Sequence, residues 1–252
     1  QFGEDISRLV VYYDQMPESA THKDFVSYLK KRIRFYLEQV KIDTNGNIIT
    51  SYKDRKKIYR ILLTLNVHLL NIQNEKLASE SDVYKFPFDV LNSQDWDIEH
   101  IDSFHTNALK DNDKKLAWIE TAMEDLGSIL TDSDKKEIEK KIENKEYNEI
   151  IDLLKEKAGE TTVDEEIKQG IGNLALLDSA TNRSYGNSLF CTKRRIIFDR
   201  IKQGVFIPLA TQYVFSKFFD EKGTNRSIWG QEDMEKYQLY IVEMLKGYLP
   251  RN

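Results

Sequence analysis

The most constraining feature of this chain is a charged stretch of helical pattern, residues 106–168, set between two short segments that read as extended. On the N-terminal side, Tyr84–Ile101 holds Phe86-Pro87-Phe88-Asp89-Val90-Leu91 and then Trp96-Asp97-Ile98-Glu99-His100-Ile101. On the C-terminal side, Gly170-Ile171-Gly172-Asn173-Leu174-Ala175-Leu176-Leu177-Asp178 reads as a strand bounded by glycines. Between them, Leu116, Ile119 and Met123, then Ile138 and Ile142, then Ile150, Leu153 and Leu154 predict three short helices with polar outer faces. Pairs such as Glu137 and Lys141, four residues apart, each add a few tenths of a kcal/mol to such a solvated helical insertion. Few strands among many helices give an α+β chain that is predominantly helical.

Helical periodicity extends to both flanks. Phe25, Leu29, Ile33, Tyr36, Leu37 and Val40 recur at three- and four-residue steps, as do Ile58, Ile61, Leu62, Leu65, Leu69 and Ile72. Between these helices, Asn45-Gly46 is a hairpin-type turn signal flanked by Ile42 and Ile48-Ile49. His68, beside the second stripe, reads as a helix histidine at the core edge. After Asp178, Thr181–Asn187 reads as a polar turn, Lys193–Gln203 as a helix stopped by Gly204, and Gln212–Phe219 as another helix. The last helix runs from Glu232 to Lys246, with Gly247 as its stop. The expected organisation is an N-terminal helical segment (1–83), a core (84–205) interrupted at about 106–168, and a C-terminal helical wrap (206–252).

Composition narrows the class. One cysteine, Cys191, allows neither an intrachain disulfide nor a four-cysteine zinc site, and suits a reducing cytoplasm. No apolar run approaches the roughly 20 residues of a membrane helix. Gln1-Phe2-Gly3-Glu4-Asp5 is acidic and lacks the pattern of a signal peptide; with no initial Met, a fragment of a longer protein is the expectation. A net charge of −5 argues against a uniformly cationic surface while leaving room for a local basic groove. Arg183, Lys193, Arg194, Arg195, Arg200 and Lys202 form such a basic stretch, expected to touch phosphates, against the plainer reading of a wet helix face.

The two extended segments carry the residue types of a hydrolytic site: Asp97-Ile98-Glu99-His100-Ile101, and Gly172-Asn173-Leu174 followed by Asn182-Arg183, Gly186-Asn187, Phe190 and Lys193. Neither His-Glu-x-x-His nor its inverse occurs, since Trp96 stands where the inverse needs its first histidine. Cys191 lacks an activated-thiol setting, and no Gly-rich phosphate loop is present.

In order, these elements resemble the ββα-metal fold of HNH endonucleases. More closely, they resemble the C-terminal nuclease domain of GmrSD-type, modification-dependent restriction endonucleases, over roughly residues 84–245, including Ile207-Pro208-Leu209-Ala210-Thr211 and Val214-Phe215-Ser216-Lys217. The resemblance implies a small ββα-metal core with a helical insertion and flanking helices. It implies His100 as general base, Glu99 and Asn182 as ligands of Mg²⁺ (or Mn²⁺), Asn173 as the residue that orients the histidine loop, and Arg183, Lys193, Arg194 and Arg195 on nucleic acid. Asp102 is an expected turn former, with an extra metal ligand as the lesser reading, and His105 an expected surface or phosphate-contacting residue. The chain departs from many relatives in having Asp102-Ser103-Phe104-His105 where they have Pro and Gln.

The implied function is metal-dependent cleavage or nicking of DNA, leaving 5′-phosphate and 3′-hydroxyl ends, in anti-phage or restriction defence. A ParB-like nucleotidase domain, absent from this chain, is the implied partner, with homo-oligomerisation left open. The competing expectations are a helical interaction or regulatory module that keeps the fold without activity, and a ribonuclease.

Overall fold

A computed structural model describes residues 11–77, 83–102, 111–159, 163–185, 188–218 and 228–250. It is an α+β molecule, mostly helical, whose described strands form two antiparallel two-stranded ribbons. Helix α1 (His22–Leu37) opens on a capping box between Thr21 and Asp24. Strands β1 (Lys41–Ile42) and β2 (Ile48–Ile49) pair across the Asn45-Gly46 turn, where Gly46 has φ +87°, a conformation that suits glycine. Helix α2 (Arg55–Glu75) buries the expected stripe of Ile58, Ile61, Leu62, Leu65 and Leu69.

The segment expected to extend from Phe86 to Leu91 is instead helical over α3 (Phe88–Ser93), with Pro87 as its N-cap and Leu91 buried. Proline before a first turn has its φ already set and leaves no helical donor missing, and the apolar run carries no strict alternation against it. Strand β3 (Trp96–His100) follows. The insertion then folds as α4 (Asn112–Asp125), α5 (Asp132–Glu143) and α6 (Tyr147–Ala158).

After α7 (Glu165–Gln169) comes a 3₁₀ turn, Ile171–Asn173, so the glycine-bounded segment is extended only over β4 (Leu174–Asp178). Every residue of β4 is buried. A strand covered on both faces reads as a continuous apolar run, as Leu174-Ala175-Leu176-Leu177 does. β3 and β4 pair antiparallel, Trp96 opposite Asp178 and His100 opposite Leu174.

The expected polar turn after β4 is a helix, α8 (Ser179–Tyr185). Its start is capped by Asp178, whose Oδ1 accepts from the Thr181 amide at 2.8 Å. Gly186 and Asn187 of that expected turn lie outside the described residues. The chain continues as α9 (Phe190–Lys202), α10 (Leu209–Ser216) and α11 (Gln231–Leu245).

Two apolar clusters result. One joins Leu37, Ile58, Ile98, Leu176, Ile197, Val214 and Tyr237, so the N-terminal helices, the β3–β4 ribbon and the C-terminal helices share a core. The other holds Ile119, Leu126, Ile138, Ile150 and Leu154 of the insertion, completed by Leu189 with Cys191 packed beside it. Asn66 of α2 caps α10 by accepting from the Ala210 amide (2.7 Å), and Thr211 of α10 donates to the Leu176 carbonyl (2.8 Å), which fixes both helices to β4. Among the described residues no helix is long and apolar enough to cross a membrane.

Candidate functional site

Strand period two puts Asp97 and Glu99 on one face of β3 and Trp96, Ile98 and His100 on the other. Because α8 starts directly after β4, its first two turns lie against the carboxylate face. Ser179 Oγ donates to Asp97 Oδ2 at 2.8 Å, and Asn182 Nδ2 to the same oxygen at 3.3 Å. The Asn182 amide also hydrogen-bonds Glu99. Two cations complete the cluster: an Arg55 guanidinium nitrogen lies 3.6 Å from Asp97 Oδ1, and the Lys193 ammonium 3.8 Å from Glu99 Oε1.

Burial raises the pKa of Glu99 above the ordinary glutamate value; nearby Asp97 adds to the rise, and Lys193, Asn182 and Arg55 oppose it. The desolvation outweighs the local cations, so Glu99 is a carboxylate held in a site that disfavours its charge. An incoming cation relieves that cost.

The backbone just past His100 is clamped. Asn173, fully buried, accepts from the Asp102 amide at 2.8 Å and donates to the carbonyls of Asp102 (3.1 Å) and Lys168 (3.0 Å). Its own carbonyl accepts from the Ile101 amide (2.9 Å). Lys193 Nζ donates to the His100 carbonyl at 2.7 Å, and Lys168 pairs with the Asp102 carboxylate at 2.9 Å. The imidazole packs against Tyr52, ring centroids 4.4 Å apart, and the Tyr52 hydroxyl donates to the Ile98 carbonyl (3.2 Å). β3 therefore ends at His100 in a turn held by its side-chain partners as well as by strand pairing.

Of the residues singled out from sequence, Glu99 and Asn182 meet on the carboxylate face of β3, while His100 lies on the opposite face of the strand and Asn173 holds the turn just past it. The basic run does not form the expected phosphate-facing edge. Lys193 has no exposed surface and points under β3, Arg194 donates to the Phe215 carbonyl (2.8 Å) while covering Phe198, and Arg195 pairs with Asp125 of α4 at 2.6 Å. Helix α9 packs on both clusters, so Lys193 and Arg194 meet buried acceptors, whereas Arg195, though paired with Asp125, and Arg183 on α8 are exposed. Asp102 is a turn residue whose carboxylate is taken up by Lys168, and His105 lies outside the described residues. Cys191 is packed, and burial pushes its thiol up to about 11.

Sequence reasoning passed over Asp97, although its place two residues before Glu99 puts both on one face of a strand. It also passed over Tyr52, in the turn before α2, and Arg55, at the start of α2, which carry no motif and arrive by tertiary packing.

Among the described residues no three His, Cys, Asp or Glu side chains converge as a metal centre. The oxygen donors that do converge are the Asp97 and Glu99 carboxylates, with the Asn182 amide nitrogen turned toward both. Such a sparse, hard set suits Mg²⁺ or Mn²⁺, which keep several waters and take substrate phosphate as further ligands. Compared with models of protein families, with curated proteins and with solved structures, the chain finds no match.

Proposed function

We propose that this protein is a metal-dependent phosphodiester hydrolase of the HNH type that nicks or cleaves DNA, as the effector part of a defence system acting on foreign or modified DNA. The observation that carries the reading is the meeting of Glu99, Asn182 and the Asn173-clamped turn at His100 around one strand end, from residues 71 to 83 positions apart. An antiparallel strand pair followed at once by a helix is the layout the ββα-metal resemblance implies, with Asn173 on the backbone where a loop-orienting residue belongs.

The chemistry assigns each side chain a task. His100 takes the proton of the attacking water on an imidazole nitrogen, its ring held by Tyr52 and its backbone by Lys193 and Asn173. Asp97 and Glu99, with Asn182, would hold a divalent ion, whose chemistry there would be to neutralise the charge that builds on the phosphate oxygens. Ser179 and Asn182 keep Asp97 oriented for that duty. A nucleotidase domain on a separate chain segment would supply substrate sensing.

The test is conversion of supercoiled plasmid to nicked and linear forms with Mg²⁺ or Mn²⁺, on plain and modified DNA. Nicking that needs the metal and is lost in His100→Ala and Asn182→Ala, with both variants folded, is the expected result. Nicking that survives His100→Ala overturns the role of His100. Metal binding by the folded wild type with no cleavage of any DNA overturns the reading for this chain, in favour of an inactive interaction module, and cleavage of RNA only makes it a ribonuclease.

A further inference from the structure

Lys193 and Arg194 of α9 are turned to backbone carbonyls and Arg195 is paired with Asp125, and the start of α2 offers a second, denser set of cations beside the site. Lys53-Asp54-Arg55-Lys56-Lys57, with Arg60 following, brings five cations and one carboxylate to the start of that helix. They line a cleft of about 330 Å³ between α2 and the end of α1, closed on the other side by Tyr36, Gln39 and Val40. Lys53, Arg55 and Lys56 are exposed. The one acid in the lining, Asp54, leans toward Lys57 at 3.7 Å. Tyr36, itself exposed, carries the Arg60 guanidinium 5.5 Å from its ring centre and the Arg32 guanidinium at 6.0 Å.

The cleft is physically joined to the end of β3. Arg55 lies over the Tyr52 ring (5.1 Å), donates to its hydroxyl, and reaches Asp97. Tyr52 in turn contacts His100 and the Ile98 carbonyl. From Arg55 to Arg60 the helix advances roughly 8 Å at 1.5 Å per residue, comparable with the axial rise of about two base pairs of a duplex at about 3.4 Å each. A solvated helix face needs no such cleft and no such link.

We propose that this α2 cleft is the track that grips the phosphate backbone of duplex DNA and leads it to the end of β3. The proposal rests on the nuclease reading of that site and adds its substrate-binding surface. Lys53, Lys56 and Arg60 neutralise phosphates, while Arg55 stands at the junction of track and site. The attraction comes from counterion release and is independent of base sequence.

The test measures binding of a labelled DNA duplex by the full chain without divalent ions, so that cleavage plays no part, as a function of salt. Lys53→Glu/Lys56→Glu is compared with Lys136→Glu/Lys140→Glu, which makes the same change of charge on the exposed face of α5. The expected result is that the first variant weakens binding at least tenfold and flattens the slope of log affinity against log salt by about 2, near 0.9 per lost phosphate contact. The second leaves the slope unchanged. Equal loss in both variants, no change in the first, no DNA binding by the folded wild type, or tighter binding of duplex RNA than of DNA each overturns the track. Binding that behaves as expected while plasmid is never cut upholds the track and removes the nuclease reading instead.

Discussion

The helical insertion and the β3–β4 ribbon use polar residues in opposite ways. In the insertion, the caps and several ion pairs are local. Thr131 and Asp134 close a capping box three residues apart, and Lys141 reaches Glu149 across one loop. In the ribbon, polar groups are buried and joined across most of the chain: Asn173 to Asp102 over 71 positions, Ser179 to Asp97 over 82, and Lys193 to the His100 carbonyl over 93. Local polar contacts make helices that stand on sequence alone. Long-range buried ones are costly unless every group finds its partner, and they specify one arrangement of the strand end.

That contrast predicts unequal responses to matched substitutions. The largest is expected at the two glycines. A Cβ at Gly172 would lie 2.1 Å from the Met234 carbonyl oxygen of α11, a backbone atom, whereas one at Gly127 meets the Glu124 carbonyl at 3.2 Å. Gly172→Ala should cost about 3 kcal/mol or more by chemical denaturation, and Gly127→Ala only a small fraction of that. Equal losses would break the contrast.

Next comes Asn173→Ala, which strips three side-chain hydrogen bonds from the buried turn. About 2 to 3 kcal/mol should be lost, with faster hydrogen exchange at the Asp102 amide and little change in α5. Thr131→Ala should cost about 1 kcal/mol, with faster exchange at the Asp134 amide and none at Asp102.

The smallest effects separate the regions by pH. Hydrogen bonds from Lys157 and Thr131 lower Asp134 from the ordinary 3.8 to about 2. Its contribution is present above the unfolded value and disappears as pH falls through about 2, so acid should loosen the α5–α6 contact in that window and Asp134→Asn should remove the dependence. Glu99 moves the other way. Since its pKa is raised, protons compete with a divalent ion at higher pH than for an ordinary glutamate. Mn²⁺ affinity should fall with acidification from above the normal glutamate range, and Glu99→Gln should flatten that fall.

Legibility in the sequence follows the same division. α2, α4, α6 and α11 announce themselves because each buries one stripe at helical period, and α1 and α5 carry the same period with fewer of its residues buried. Of the site, the order Glu99, His100, Asn173, Asn182 was readable, since residue types at the ends of extended segments survive without coordinates. α8 was not, because Thr181-Asn182-Arg183-Ser184 has no apolar stripe and its helix depends on a cap from Asp178 and a seat against β3. α3 was hidden in an apolar run that suits either state.

The sequence alone determined a mostly helical α+β chain and the placement of its long helices, consequences of local periodicity, while the grouping of Glu99, His100, Asn173 and Asn182 was what the resemblance implied. Only the tertiary structure decided that Asp97 joins Glu99 and Asn182, that Lys193 supports the strand from below, and that Arg55 of α2 reaches Asp97. Whether a lysine faces water or a buried carbonyl depends on what the fold packs against it, and that information lies tens of residues away in the chain.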